Sequence, residues 1–213
     1  MSGRASLPDG HDFAGLRPPY GVLYADPPWA FRTWTSGGHQ HRGAERHYRT
    51  TETGRQGDLP VADLAARDCA LFMWTTSSHL AEAVELIAAW GFTFKSLALV
   101  WVKIDRQGRP LMGHGYGTRQ ECEVCLLGTR GKPKRQDAGV RQVIMAPRGR
   151  HSAKPAEARR RVERLFAGPY CELFAREHPP HWDGWGDQAT PVAPESLPPS
   201  LPGDVQPTLG DWV

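Results

Sequence analysis

Short apolar runs that stop abruptly constrain this chain more than any other feature. Gly21-Val22-Leu23-Tyr24-Ala25 is long enough for a buried strand, and it ends at Asp26-Pro27-Pro28, where two prolines forbid further ladder pairing. A second run covers residues 69–74. Residues 78–90 then carry Leu80, Val84, Ile87 and Ala88 at helical spacing, with Ser78 placed to cap and Gly91 to stop the helix. Residues 92–102 read as a strand rich in aromatic and branched side chains, and 123–127 and 143–146 as shorter ones. A second helix is expected over 155–166, opened by Pro155 and capped by Ser152, and a last strand over 171–175. Near-continuous apolar strands alternating with helices predict an α/β domain around a mostly parallel sheet buried on both faces.

Ligands of such sheets bind beyond the carboxyl ends of the strands. Two polar segments follow strands directly: Asp26 to Trp29, and Arg176 to Gln188. Both ends differ from the middle. Residues 1–15 are polar and glycine-rich, and 189–213 hold six prolines, three acidic residues and no Lys or Arg, so disorder is expected at both ends of a 16–188 domain. The start lacks a basic stretch followed by an apolar one, and no 18-residue apolar run occurs, so a cytoplasmic chain without membrane contact is expected. Cys122 and Cys125 have the spacing of half a zinc site, but strand alternation points them to opposite faces, and no metal is expected.

The net charge is only +3, yet residues 106–164 hold fifteen Lys/Arg and five Asp/Glu. That local excess suits a polyanion; the alternative is a solvated surface, with Arg159, Arg160 and Arg161 on an exposed helix face. Arginine, at twenty-one, far outnumbers lysine, at five, which suggests a GC-rich bacterial or phage genome.

Asp26-Pro27-Pro28-Trp29 is the motif with a specific chemical use. The exocyclic amine of adenine is a poor nucleophile, because its lone pair is delocalised into the ring. To attack an electrophilic methyl it needs acceptors on its two hydrogens. The Asp26 carboxylate supplies one and the Pro27 carbonyl the other, on a loop that the two prolines stiffen. Trp29 offers a flat surface near such a base. A plain turn after a strand is the alternative use of Asp-Pro.

The chain resembles the adenine-N6 methyltransferases that carry an Asp-Pro-Pro-Trp motif. That group includes eukaryotic messenger-RNA adenosine methylases and their bacterial and phage relatives. The resemblance rests on Tyr24–Trp29, Leu71–Thr75, Trp90-Gly91-Phe92, Val100–Lys103, Leu126–Gly131, His151–Pro155 and Glu172–Arg176, in family order, and covers about residues 20–188. It implies a Rossmann-like, S-adenosylmethionine-dependent methyltransferase sheet in permuted motif order, with the catalytic loop early and much of the cofactor site late.

Carried over residue by residue, the resemblance makes Asp26, Pro27, Pro28 and Trp29 the catalytic loop. Tyr48 would sit on a loop closing over the base. Glu123 and Lys154 would lie near the adenine, Lys154 having a phosphate contact as its alternative. The S-adenosyl-L-methionine site would be made by Asp26, Arg176, His178, Asp187 and Gln188. Two positions depart from the pattern: Pro179 stands where an asparagine is usual and cannot replace an amide donor, and Asp187 stands in a Gly-Asn-Gln string. Asp9 and Asp12 are the nearest candidates for an upstream acidic cofactor contact.

The expected partner is nucleic acid, DNA ahead of RNA on the composition. RNA adenosine methylation and a non-catalytic nucleic-acid-binding subunit are the alternatives. No insertion is large enough for a recognition domain, so residues 104–122 and 128–142 are the candidate recognition loops, and a homodimer or separate recognition partner is compatible with that.

Overall fold

A computed structural model describes residues 13, 15–29, 56–149, 153–186 and 190–191. The elements are β1 (Tyr20–Ala25), β2 (Ala65–Thr75), α1 (Leu80–Ala89), β3 (Thr93–Ile104), β4 (Cys122–Arg130), β5 (Val143–Pro147), α2 (Ala156–Leu165), β6 (Tyr170–Leu173), β7 (Glu177–His178), β8 (Trp182–Trp185) and β9 (Thr190–Pro191). Seven strands form one sheet in the order β5-β3-β4-β2-β1-β6-β8, and β7 pairs with β9 apart from it.

The sheet is mostly parallel, as expected. β1 is parallel to β2 and to β6, β6 to β8, and β3 to β5. β4 alone runs the other way, antiparallel to both β2 and β3. Side chains alternate between the two faces of a strand. Leu23, Ala25, Leu71 and Met73 therefore pack on one side with Leu86, Ile87 and Trp90 of the α1 region. Val22, Tyr24, Ala70, Phe72 and Trp74 pack on the other with Ala158 and Val162 of α2. Both faces of β1 and β2 are dry, which is why these strands read as unbroken apolar runs.

Glycine matters at two places for α1. Gly91 takes φ +81 at its end, a left-handed conformation that costs glycine nothing. Gly128 of β4 lets the helix settle on the sheet: a Cβ there would meet Ile87 Cγ2 at 2.9 Å and Phe92 Cβ at 3.3 Å.

Several local expectations change. Ser78 does not cap α1; it lies in a 3-10 turn, Ser77–His79, in which the Thr76 hydroxyl meets Ser78 Oγ at 3.3 Å and His79 Nδ1 at 3.0 Å. Pro155 precedes α2 as its cap residue, while Ser152 lies outside the described residues. β2 begins four residues earlier than its apolar run, because Arg67 and Asp68 are exposed. The segment after β6 is not only loop. It contains β8, where Trp182 stacks on Tyr170 at 4.9 Å and Asp183 receives Arg17 Nη2 and Tyr20 Oη, both at 2.6 Å. Phe13 packs edge-on against Trp185 at 5.1 Å.

Chain direction at β1 decides where a ligand can sit. From β1 the chain moves to β2 and beyond on one side; β6 and β8 return on the other. Such a switch point opens a crevice at the carboxyl ends of the two diverging strands. Asp26 follows β1 there, and Arg176 follows β6.

Candidate active site

The Asp26–Trp29 loop is held from beyond its prolines. Trp29 is turned into the protein, 8% exposed, with its indole N–H donated to the Trp74 carbonyl at 3.0 Å and its ring stacked on His79 at 5.7 Å. Here it is an anchor for the loop, in place of the open flat surface expected of it. Gln56 supplies a second anchor: its amide donates to the Pro28 carbonyl at 2.9 Å, and its own backbone carbonyl accepts Trp90 Nε1 at 2.8 Å. The bond from Gln56 thus falls on the carbonyl next to the one assigned to the amine.

Three other elements bring charge to Asp26. Because β4 is reversed, its amino end lies with the carboxyl ends of its neighbours, so Glu123, paired with Trp101, reaches the crevice. The β5–α2 connection brings Lys154, and the turn after β6 brings Arg176. Lys154 Nζ lies 2.6 Å from Asp26 Oδ2 and 3.2 Å from Glu123 Oε2, with its side chain 9% exposed. Arg176 Nη2 stands 3.9 Å from the same Asp26 Oδ2. Both cations therefore meet Asp26 at Oδ2. Lys103 Nζ closes on Glu123 Oε1 at 2.5 Å.

Burial opposes the charge on Lys154 and on Glu123, and pairing prevails at both. Burial pulls the Lys154 ammonium down, yet Asp26 and Glu123 hold it above its ordinary value. Burial pushes the Glu123 carboxyl up, yet Lys154 and Lys103 hold it below the usual carboxylate range. At the neighbouring Cys125 thiol and Tyr24 phenol burial outweighs the nearby Lys154 and Arg159 cations and raises both far above their ordinary values, so they stay protonated. They are no acid–base candidates.

A crevice lined by Asp26, Lys154, Arg159, Glu172, Phe174 and Arg176 opens beside the loop. Arg159 and Glu172 are joined there by two hydrogen bonds, at 2.7 and 3.0 Å. The cations and carboxylates suit a zwitterionic amino-acid group, as the cofactor expectation requires. Asp26, Glu123, Lys154 and Arg176 are thus brought together as expected. Tyr48, Asp187 and Gln188 lie outside the described residues, as do Asp9 and Asp12, and His178 is described only as backbone in β7. Gln56 and Lys103 carry no signal of their own in the sequence; Lys103 has only its place at the end of Val100–Lys103 to mark it. Among the described residues no group of three or more His, Cys, Asp or Glu could hold a metal ion, and no helix is long and apolar enough to cross a membrane.

The basic stretch is less free than its count implied. Arg161 is 4% exposed and donates to the carbonyls of Arg141 and Val143, both at 2.7 Å, so of the three arginines that the solvated-surface alternative put on an exposed helix face only Arg160 is exposed. Arg130 donates to the Ala62 carbonyl at 2.6 Å, and Arg164 pairs with Asp137 at 2.8 Å. Lys154 faces carboxylates in place of phosphate. The two candidate recognition loops also separate. Residues 105–121 join β3 to β4 at the end of the sheet that carries Asp26, with Arg106 and Arg119 exposed. Arg130, by contrast, pairs with Cys69 at the amino end of the parallel strands, so the segment after it leaves from the opposite end.

A mostly parallel sheet with a carboxylate loop at its switch point defines a Rossmann-like α/β domain of the methyltransferase class. The MT-A70 family model matches residues 20–188, and the chain belongs to that family. It is 33% identical over 190 residues to the type II methyltransferase M.MunI of Mycoplasma sp, a match covering 80% of this chain and 78% of that one. It is 30% identical to an N(6)-adenosine-methyltransferase MT-A70-like protein of Arabidopsis thaliana, over 81% of this chain but 24% of the plant protein. It is 26% identical to the human N(6)-adenine-specific methyltransferase METTL4, over 81% of this chain and 38% of the human one.

Proposed function

We propose that this chain transfers the methyl group of S-adenosyl-L-methionine to the N6 amine of adenine in DNA. The observation that carries the reading is Asp26 on an anchored double-proline loop at the sheet's switch point, with Lys154 and Arg176 both on Oδ2. The DNA assignment draws on the type II methyltransferase matched over most of its own length and on the arginine-rich composition.

The chemistry of the chain's own residues follows from that geometry. Asp26 accepts one amine hydrogen and the Pro27 carbonyl the other, drawing the nitrogen lone pair out of conjugation. Trp29 and Gln56 keep the two acceptors aimed, because each fixes the loop one or two residues further on. Lys154 holds the Asp26 carboxylate in one orientation. As the N–C bond forms, the amine becomes acidic, and the Asp26 carboxylate takes its proton. When bound, the cofactor supplies an electrophilic methyl on a sulfonium. Asp26 would lie at its amino-acid end, Arg176, His178 and Gln188 would meet its ribose and carboxylate, and Asp187 would accept from a ribose hydroxyl. Tyr48 would close over the base, and Arg106, Arg119 and Arg148 at the catalytic end would meet the phosphate backbone.

Incubation with methyl-labelled cofactor and sequence-matched DNA and RNA, followed by nucleoside analysis, tests the reading. Labelled N6-methyldeoxyadenosine from DNA is expected. Label confined to RNA would move the assignment to N6-methyladenosine formation. Cofactor or nucleic-acid binding without label in either polymer would make the chain a non-catalytic subunit.

A further inference from the structure

Glu123 is held on both sides by lysines, and the two lysines are held in the same way. Lys103 Nζ lies 5.3 Å from the centre of the Trp101 ring, and Lys154 Nζ lies 5.6 Å from that of Trp74. The two indoles meet edge to face at 6.5 Å. Each indole is itself fixed: Trp101 Nε1 donates to the Ala146 carbonyl at 2.9 Å, and Trp74 Nε1 to the Tyr24 hydroxyl at 2.6 Å. Lys103 is equally tied at its backbone, where its N–H donates to the Glu121 carbonyl at 3.1 Å and its carbonyl accepts from Leu111 at 2.7 Å. A half-buried cation with a fixed backbone, an aromatic floor and a carboxylate at 2.5 Å has little rotational freedom left.

The consequence runs one residue further. With Oε1 taken by Lys103, Glu123 presents Oε2 to Lys154, and Lys154 reaches Asp26 from there. Charges alternate along the line: Lys103, Glu123, Lys154, Asp26, then Arg176. A carboxylate with two neighbouring cations can swing to either; one already held at Oε1 cannot.

We propose that Lys103 is a positioning residue: acting through Glu123, it holds the Lys154 ammonium on Asp26 and so sets the orientation of the catalytic carboxylate before the base enters. The proposal rests on the methyltransferase reading for its effect on rate, but not for its effect on the charge line. Lys103 touches no reacting atom; its whole influence passes through Glu123.

The test uses the full chain with Lys103→Gln, Lys103→Arg, Glu123→Gln and the double variant Lys103→Gln/Glu123→Gln. Lys103→Gln is expected to lower kcat by about tenfold to a hundredfold with little change in KM for the cofactor, the scale of a misplaced catalytic group. Lys103→Arg keeps the cation and restores most of the rate. In the Glu123→Gln background the Lys103→Gln substitution has little further effect, since the residue it acts through is already neutral. The acid limb of the kcat profile moves to higher pH in Lys103→Gln, because the groups facing Glu123 then reduce to Lys154 with Asp26 and Arg176 behind it.

A second readout needs no turnover. The Glu123 carboxyl, followed by carbon-13 NMR, titrates at higher pH in Lys103→Gln than in the native chain, and the Lys154 ammonium exchanges its protons faster. Multiplicative loss in the double variant, or an unmoved Glu123 titration, would overturn the proposal. Failure of the native chain to methylate any nucleic acid would sink the functional reading, while the NMR titration still decides the role of Lys103. If Lys103→Gln does not fold, the Lys103→Arg and Glu123→Gln titrations decide it: Lys154 exchange unchanged in Glu123→Gln overturns the coupling.

Discussion

Lys154→Met removes the cation shared by Asp26 and Glu123 and keeps much of the side chain's volume. At an effective dielectric near 20, unit charges about 3 Å apart attract by roughly 5 kcal/mol each before desolvation is counted. Burial of the ammonium offsets much of that, and breaking one partner of such a cluster costs about 3 kcal/mol net. For a domain of this size the loss corresponds to a fall in Tm of roughly 6–12 °C. The pH dependence has a definite sign. Lys154 binds its proton more tightly in the fold than its ordinary 10.5, so its contribution is whole at neutral pH and is lost only as pH climbs through the raised value. Glu123 is held below its ordinary 4.5, so its contribution is whole above that and is lost as pH falls through the lowered value. Urea unfolding near pH 7 should therefore show the full loss. Near pH 4 the gap should narrow, because Glu123, left with Lys103 alone to offset its burial, takes up its proton at higher pH in the variant than in the native chain. A loss under about 0.5 kcal/mol near pH 7, or one equal at both pH values, would mean that Lys154 does not hold the two carboxylates in the way described.

Trp29→Phe removes the hydrogen bond to the Trp74 carbonyl; a stability loss of about 1 kcal/mol by urea unfolding, with a larger relative fall in kcat than in cofactor affinity, is expected. Gly128→Val places branched carbon where even a Cβ would lie 2.9 Å from Ile87, so unfolding experiments should show a loss of about 1–3 kcal/mol. Replacing Arg106, Arg119 and Arg148 by Gln should weaken DNA binding and flatten the slope of log K against log salt by about 0.9 for each phosphate no longer neutralised. Replacing Lys132, Lys134 and Arg135 in the segment that leaves the far end of the sheet should leave that slope in place.

The strands most plainly legible in the sequence are those buried on both faces, since β1 and the 69–74 part of β2 show as apolar runs, while β3, β4 and β5 are read from aromatic and branched side chains although they are only partly buried. β8 is not, because Trp182-Asp183-Gly184-Trp185 has no apolar run, and Asp183 is satisfied by residues 163 or more positions away. The reversal of β4 leaves no mark on a strand's composition, yet it is what carries Glu123 to Asp26. In the site, Asp26, Glu123, Lys154 and Arg176 are readable through motif order. Gln56 and Lys103 are single polar residues whose meaning is their partners, and partners are not written along the chain. The same limit applies to charge. Fifteen cations between Arg106 and Arg164 can be counted from the letters, but that Arg161 holds backbone carbonyls and Arg159 holds Glu172 is a property of the fold.

In the proposed reaction the Asp26 carboxylate is the group that prepares the amine. Single-turnover methyl transfer by Asp26→Ala, measured beside its affinity for S-adenosyl-L-methionine, tests it most directly. A fall of at least about a thousandfold in the transfer rate is expected, the scale of a removed transition-state interaction plus a missing proton acceptor, with cofactor affinity changed far less. Transfer at the native rate, or a fall explained wholly by weaker cofactor binding, would contradict it.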